Sequence, residues 1–128
     1  MVQAVINATQ LRDWNAVYAR YAPDIVFDFT RAKTLPRSGE VFRGHEAWRR
    51  TLREFNEAWE TVGYEHEGLL DGGDRVVHLI SQRVIGRTTH LEFAWSYAQV
   101  WTVAGGLLTC MDYYEDRAEA LEAAGLSE

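Results

Sequence analysis

Apolar residues recur at three- and four-residue steps in two stretches of the chain, and this spacing predicts two amphipathic helices. The first stretch runs from Val2 to Ala22 and ends before Pro23, because the residue before a proline is disfavoured in the α conformation. A break near Thr9 would leave Asp13 to cap a second helix. The other stretch runs from Gly44 to Glu60. Its apolar stripe consists of Trp48, Leu52, Phe55 and Trp59.

Alternating residues predict strands in the remaining stretches. The strands are Ile25 to Thr30, Tyr64 to Leu70, Arg75 to Arg87, and two more within Glu92 to Asp116 that turn at Ala104-Gly105-Gly106. Arg31 to Arg43 is predicted to be a loop, and Asp116 with Glu119 is predicted to cap a last short helix. Helices early in the chain and strands late favour the α+β class in one domain, residues 1–128. We expect a curved antiparallel sheet wrapped around helices, a cone-shaped barrel with an internal pocket.

The predicted hairpin carries large rings on one of its faces. The face before the turn consists of Phe93, Trp95, Tyr97, Gln99, Trp101 and Val103. After the turn, alternation places four side chains together on one face of the strand, namely Leu108, Cys110, Asp112 and Tyr114. Five Trp and six Tyr in 128 residues supply many rings, which fill cores and also line pockets for apolar ligands.

Charge and cysteine content narrow the function classes. The net charge of −6, with no basic run, argues against nucleic acid and against an anionic membrane surface as partners. One cysteine excludes an intrachain disulfide, and the four histidines lack ligand spacing, so no metal site is predicted. No apolar run is long enough to span a membrane, and the N-terminus lacks signal-peptide features. We therefore expect a cytoplasmic protein.

Asp112 is the leading candidate for chemistry. An acid between apolar neighbours in a strand is costly to bury, so its pKa should rise if it faces the pocket, and it would then serve as a general acid or base. The alternative is that it faces solvent, a subunit partner or an arginine. Asp28 has Phe on both sides and is open to the same two interpretations, with Arg31 and Arg37 as its candidate partners.

The strand from Arg75 to Arg87 offers two further candidates. Arg83 lies on one face of this strand and His78 on the other, and the pattern does not decide which face looks inward. An arginine beside Asp112 would keep the carboxylate ionised, whereas a histidine beside it would form a dyad.

Further side chains are expected to line a substrate pocket, although such rings more often belong to a core. They are Trp14, Tyr18, Phe29, Trp48, Phe55, Tyr97, Gln99, Trp101, Cys110 and Tyr114.

Several segments together resemble a known family. They are Tyr21-Ala22-Pro23-Asp24-Ile25-Val26-Phe27, Phe42-Arg43-Gly44-His45-Glu46-Ala47, Ala98-Gln99-Val100-Trp101-Thr102-Val103 with its glycine turn, and Tyr114-Glu115-Asp116. The chain resembles the SnoaL-like branch of the nuclear transport factor 2-like superfamily, over nearly its whole length. The resemblance implies a cone-shaped α+β barrel, usually a dimer through the sheet. Members include polyketide cyclases, ketosteroid isomerases, scytalone dehydratase and limonene epoxide hydrolase.

The family's functional residues transfer only in part. The resemblance places the last-strand pocket acid of the cyclases and epoxide hydrolases on Asp112, and the hydrolase arginine on Arg83. The second hydrolase acid falls on Ile85, which leaves that triad incomplete. The isomerase base falls on or beside Phe29, and the dehydratase acid falls near Asn7.

Together these observations predict a small cofactor-independent enzyme that acts by acid/base catalysis on an apolar, oxygen-bearing molecule. Isomerase, cyclase and epoxide-hydrolase chemistry all fit, with Asp112, Arg83 and His78 as catalytic candidates. The alternative is a non-catalytic binding protein for a small hydrophobic ligand. A homodimer through the sheet is expected in either case.

Overall fold

The structure is a computed structural model that describes residues 2–32 and 38–126, apart from the side chain of Gln10. Each predicted helix and strand has a counterpart in the structure. A short extra strand lies in the predicted loop. Residues 33–37 of this loop, which include Arg37, fall outside the described part. The elements are α1 (Val2–Gln10), α2 (Trp14–Ala19), β1 (Tyr21–Asp28), β2 (Val41–Arg43), α3 (His45–Ala58), β3 (Trp59–Asp71), β4 (Arg75–Gly86), β5 (Glu92–Ala104), β6 (Leu107–Tyr114) and α4 (Arg117–Ala123).

The first predicted helix is two helices, as a break near Thr9 requires. At the end of α1, the Asp13 N–H donates to the Ala8 carbonyl and the Arg12 N–H donates to the Thr9 carbonyl. The Asp13 side chain then accepts from the Ala16 N–H and caps α2. Within the described part of the chain, no helix is both long and apolar enough to cross a membrane.

The six strands form one open sheet in the order β2-β1-β6-β5-β4-β3. Four of the five strand pairs are antiparallel, and β1 runs parallel to β6. The sheet is therefore mixed, whereas an antiparallel sheet was expected from the late strands alone. The α+β class and the cone-shaped arrangement are confirmed. β1 also begins at Tyr21, four residues before its predicted start, and Pro23 lies where its register with β6 shifts.

The hairpin between β5 and β6 turns at Gly105 and Gly106, which have φ angles of 60° and 78°. Ala104 pairs with Leu107, so these two glycines form the whole loop. Positive φ at both central positions gives the turn that matches the right-handed twist of the flanking strands. The predicted turn is confirmed.

A β-bulge follows this turn in β6. Val103 pairs with Leu108, but the next residue back along β5, Thr102, pairs with Cys110. One extra residue, Thr109, is therefore inserted in β6, and side chains beyond it change faces relative to a regular strand. Leu108 belongs to the inner face and Cys110 to the outer face.

Two apolar clusters lie on opposite faces of the sheet. The inner cluster joins α1 and α2 to the sheet through fully or nearly buried side chains such as Phe27, Ile80 and Met111. The outer cluster places α4 against Val77 and Val100. The sequence suggested that all helices cross the concave face, but α4 packs on the convex one.

Helix α3 has a clear apolar stripe and yet none of its residues is fully buried. Trp48 packs flat on Phe27 of β1, with ring centroids 4.4 Å apart and planes 4° apart. Leu52 and Phe55, further along the same stripe, are half-buried and border empty space. The stripe forms one wall of a cavity instead of closing the core.

The contribution of the α4 N-cap to stability can be tested by substitution. The Asp116 carboxylate accepts from the backbone N–H groups of Ala118 and Glu119. We expect Asp116→Ala to lower the free energy of unfolding by about 1 kcal/mol in urea titrations. Asp24→Ala, at an exposed position of β1, is the control and should change it little. Equal effects of the two substitutions would show that the cap contributes nothing.

Candidate ligand pocket

A cavity of about 910 Å³ lies between the inner face of the sheet and helices α1, α2 and α3. Its volume is within the range of sites that enclose drug-sized ligands. Its wall includes eight of the side chains that the sequence predicts to line a pocket. These are Trp14, Tyr18, Phe29, Trp48, Phe55, Tyr97, Gln99 and Trp101. Their contact with a ligand stays a prediction.

Asp112 does not lie in this cavity. It pairs with Val100, on the small-residue face of β5, while its neighbours Met111 and Tyr113 reach the cavity. The bulge at Thr109 sets this parity. The Asp112 carboxylate instead lies on the outer face, next to Asp28 on the parallel strand.

The surroundings of Asp112 are polar and partly open. Burial and the neighbouring Asp28 raise the pKa of Asp112, while Arg31 and Arg75 act in the opposite direction. Asp28 accepts hydrogen bonds from the backbone N–H and the hydroxyl of Thr30, at 2.9 and 2.6 Å. Both acids therefore lie outside the cavity, and the hydrogen-bond partner of Asp28 in the described part of the chain is Thr30, not the candidate Arg31.

Cys110 and Tyr114 lie on the same outer face and do not line the cavity. The Tyr114 ring packs under α4 and carries the Arg31 guanidinium 4.8 Å from its centre. Burial, followed by the charge of Asp112, raises the pKa of the Cys110 thiol to about 11. The thiol is therefore protonated at neutral pH and is a poor nucleophile.

Arg83 also lies on the outer face. Its guanidinium is 3.2 Å from the Glu92 carboxylate, and both side chains are more than half exposed. It lies against Gly63 of β3, where an added Cβ would come within 2.9 Å of Arg83 Nε. The acid–arginine arrangement expected from the resemblance is thus absent from the cavity.

His78 is the one catalytic candidate that lines the cavity, and its side chain is only 2% exposed. Burial, followed by the nearby His66, lowers its pKa to about 4, although a hydrogen bond with Gln99 acts in the opposite direction. The imidazole is therefore neutral at pH 7. Its Nε2 atom has no hydrogen-bond partner among the described residues.

His78 belongs to a row of side chains that crosses three strands. It pairs with Gln99 of β5, and Gln99 pairs with Tyr113 of β6. The Gln99 side-chain oxygen accepts from Trp101 Nε1 at 3.2 Å, which fixes the amide. Neighbouring strands lie about 4.8 Å apart, so His78 and Tyr113 are roughly 10 Å apart at the backbone.

Three other polar atoms in or next to this region also have no partner within residues 2–32 and 38–126. They are Tyr113 Oη, Trp95 Nε1 and His66 Nδ1. Burial raises the pKa of Tyr113 well above its usual value, so its hydroxyl stays protonated. Buried polar atoms are nearly always paired, so an unpaired buried group beside a cavity is a candidate to pair with a water molecule or a ligand group.

Sequence reasoning missed several members of this wall. Tyr113 and Met111 were missed because the bulge is not visible in the alternation of residues. Gln82 accepts from the Tyr97 hydroxyl at 2.9 Å, and its shared parity with His78 was a usable signal. Within the described ranges, no group of three or more His, Cys, Asp or Glu side chains is arranged to hold a metal ion.

The family model of the SnoaL-like domain matches residues 2–111. The chain belongs to this family. A sequence comparison with curated proteins finds no match for this SnoaL-like domain.

Solved structures share the fold of this SnoaL-like domain. An NTF2-like protein from Burkholderia thailandensis is 24% identical, with a TM-score of 0.79, over 98% of this chain and 92% of its own. A predicted SnoaL-like polyketide cyclase from Mesorhizobium loti is 23% identical, with a TM-score of 0.69, over 88% and 97%. A Mycobacterium tuberculosis protein in complex with estradiol-17β-hemisuccinate is 19% identical, with a TM-score of 0.68, over 88% of both chains.

The outer-face position of Asp112 has a pH-dependent consequence. Because the pKa of Asp112 is raised in the folded state, the folded state binds more protons than the unfolded state at pH values between the two pKa values. The free energy of unfolding therefore falls as the pH rises through this window, and it stays lower above it. We expect Asp112→Asn to raise the urea midpoint at pH 7, and the gain to shrink as the pH is lowered toward 4.

Asp24→Asn, at an exposed site, is the matched control for this measurement and should show no such gain. A loss of stability at pH 7 in Asp112→Asn would contradict the raised pKa of Asp112, because it would mean that the ionised carboxylate is favourably paired.

Proposed function

We propose that this SnoaL-like domain binds a mostly apolar, oxygen-bearing small molecule in its cone and transfers a proton within it through His78. The observation that carries the proposal is the unpartnered Nε2 atom of a neutral, almost fully buried imidazole on the cavity wall. No cofactor is required by this chemistry, because the neutral imidazole itself accepts the proton and returns it.

The proton transfer that fits best is an isomerisation or ring closure next to a carbonyl. His78 Nε2 takes a proton from the carbon beside the carbonyl, and the electron pair of that C–H bond moves into an enolate. In an isomerisation, the proton then returns from His78 to another carbon of the conjugated enolate. In a ring closure, the enolate carbon bonds to the carbon of a second carbonyl of the ligand, the π electron pair of that carbonyl moves onto its oxygen, and this oxygen takes the proton from His78. The Tyr113 hydroxyl, which interacts with the Trp95 N–H, would donate to a ligand oxygen.

The tautomer of His78 determines which role it takes. Nε2 is a base only when the ring proton is on Nδ1, and the hydrogen bond with Gln99 selects between the two tautomers. An Nδ1–H that donates to the Gln99 oxygen leaves Nε2 as the acceptor. Gln99 is therefore the positioning residue of the proposal.

A second candidate function is ligand binding without chemistry. It is favoured by one observation: among the described cavity-lining residues, Glu60 is the sole carboxylate, and no acid lies beside His78 to stabilise an imidazolium. The same wall would then hold a ligand hydroxyl or carbonyl at Nε2.

The cytoplasmic location of the protein stays a prediction from the sequence.

The two candidates separate in one set of variants. We expect His78→Gln to lower kcat/KM on an enolisable apolar ketone by about 10²- to 10⁴-fold if His78 is the base. In the wild type, kcat/KM should fall as the pH is lowered through about 4, where His78 becomes protonated. His90→Asn, in the exposed turn between β4 and β5, is the control.

Thermal shift with the same ketones reports binding independently of turnover. Stabilisation of the wild type by ligand, without turnover in any assay, supports the binding function alone. No stabilisation and no turnover with any apolar ketone, phenol or lactone would contradict both candidates.

We also propose that the domain forms a homodimer through the outer face of β3 to β5, beyond the part that α4 covers. Ala94 and Ser96 are exposed there, and Val62 of β3 is 41% exposed. Light scattering should give twice the chain mass, and Ala94→Arg should give a monomer with unchanged circular dichroism. A wild-type monomer at 100 μM would contradict this proposal.

A further inference from the structure

The rim of the cavity carries more positive than negative charge, although the whole chain has a net charge of −6. Arg12, in the turn after α1, and Arg87, directly after β4, both line the cavity and are exposed. Glu60 at the start of β3 is the one carboxylate on the described part of this lining. With His78 neutral, the wall has a net charge of +1.

A groove between α2 and α3 extends the same rim. It has a volume of about 580 Å³ and shares Trp14, Tyr18, Leu52 and Asn56 with the cavity. Arg49 and Arg53 line it, opposed by Glu57. The excess of positive charge therefore continues outward from the cavity.

Arg12 has an unfavourable backbone conformation for an arginine. Its φ angle is 57°, and the hydrogen bonds from Arg12 and Asp13 back to α1 form the helix end that usually has glycine at this position. A residue with a Cβ is strained there, and such strain concentrates at functional sites. In the described part of the chain, the Arg12 guanidinium has no carboxylate partner.

Arg87 is held in place by α3. Its Nε donates to the Asn56 carbonyl at 2.6 Å, and its backbone N–H donates to the Ala58 carbonyl at 3.0 Å. Its two terminal Nη groups have no partner among the described residues. A fixed guanidinium with free donors is suited to bind a carboxylate.

We propose that the ligand is an organic acid whose apolar body lies in the cone and whose single carboxylate lies at the rim, where Arg12 and Arg87 bind it. This inference rests on the proposed function, because it needs the cone to take an apolar ligand. A monoanion matches the net charge of +1 on the wall. The apolar interior of the cavity and the arginines at its rim together favour an amphipathic ligand.

Two fluorescent probes with one apolar body test the charge requirement. 1-Pyrenebutyric acid carries a carboxylate and 1-pyrenebutanol a hydroxyl at the same position. We expect the wild type to bind the acid about fivefold more tightly than the alcohol at low ionic strength, as an exposed ion pair allows. The preference should diminish at 0.5 M NaCl, where such pairs are screened.

Substitutions assign the preference to the rim. Arg87→Gln should weaken acid binding by about threefold and leave alcohol binding unchanged. Arg12→Gly should do the same while raising Tm, because glycine relieves the left-handed backbone strain. If Arg12→Gly raises Tm and weakens acid binding, the weaker binding comes from loss of the guanidinium, because damage to the fold would lower Tm. Arg50→Gln removes an equal charge at an exposed position outside the cavity, and is the control.

The outcomes distinguish this inference from the function on which it rests. If both probes bind with equal affinity to the wild type and to all three variants, the carboxylate site is wrong and the apolar pocket stands. An equal loss of acid affinity in Arg50→Gln would also overturn it, because the effect would then come from overall charge. If neither probe binds the wild type, the proposed function fails with it.

Discussion

One extra residue in β6 determines which of its side chains line the pocket. Because side chains alternate along a strand, the bulge at Thr109 reverses the inward and outward positions of everything that follows it. It places Met111 and Tyr113 in the cavity and Asp112 on the outer face. Without the bulge, the Asp112 carboxylate would belong to the aromatic wall of the cavity.

The cavity exists because helix α3 does not bury its apolar stripe. Only Trp48 packs tightly, in its flat stack on Phe27, and this contact anchors the helix at its N-terminal end. Beyond it, Leu52 and Phe55 border empty space. Exposed apolar surface is unfavourable, so the protein would be more stable if Leu52 and Phe55 were packed against the sheet. Together with the unpaired polar atoms, this favours a ligand as the missing part of the core.

Much of the fold was predictable from the sequence because it depends on local periodicity. The stripe of α3, the Asp13 and Asp116 caps and the Gly105-Gly106 turn each have a short-range physical cause. The aromatic wall of β5 was predictable for the same reason. Pairing across strands was not, since neither the parallel β1–β6 contact nor the bulge leaves a mark on residue order.

The candidate site shows the same division. Periodicity identified His78 and Arg83 as lying on opposite faces of β4, and only the pairing with β5 shows that His78 looks inward. Arg12 had no sequence signal, because the sign of a φ angle depends on the whole helix end. The set of side chains that lines this site thus depends on interactions between segments that are far apart in sequence.

The parallel pairing of β1 with β6 has a consequence for how the chain folds. Val26 pairs with Cys110, about 84 residues later, so this contact closes a long loop and costs considerable chain entropy. The β3-β4-β5-β6 meander needs only short loops, and it should form first as a curved platform. The N-terminal part, from α1 to α3, would then dock onto a completed platform, and the internal cavity would be the last feature of the molecule to appear.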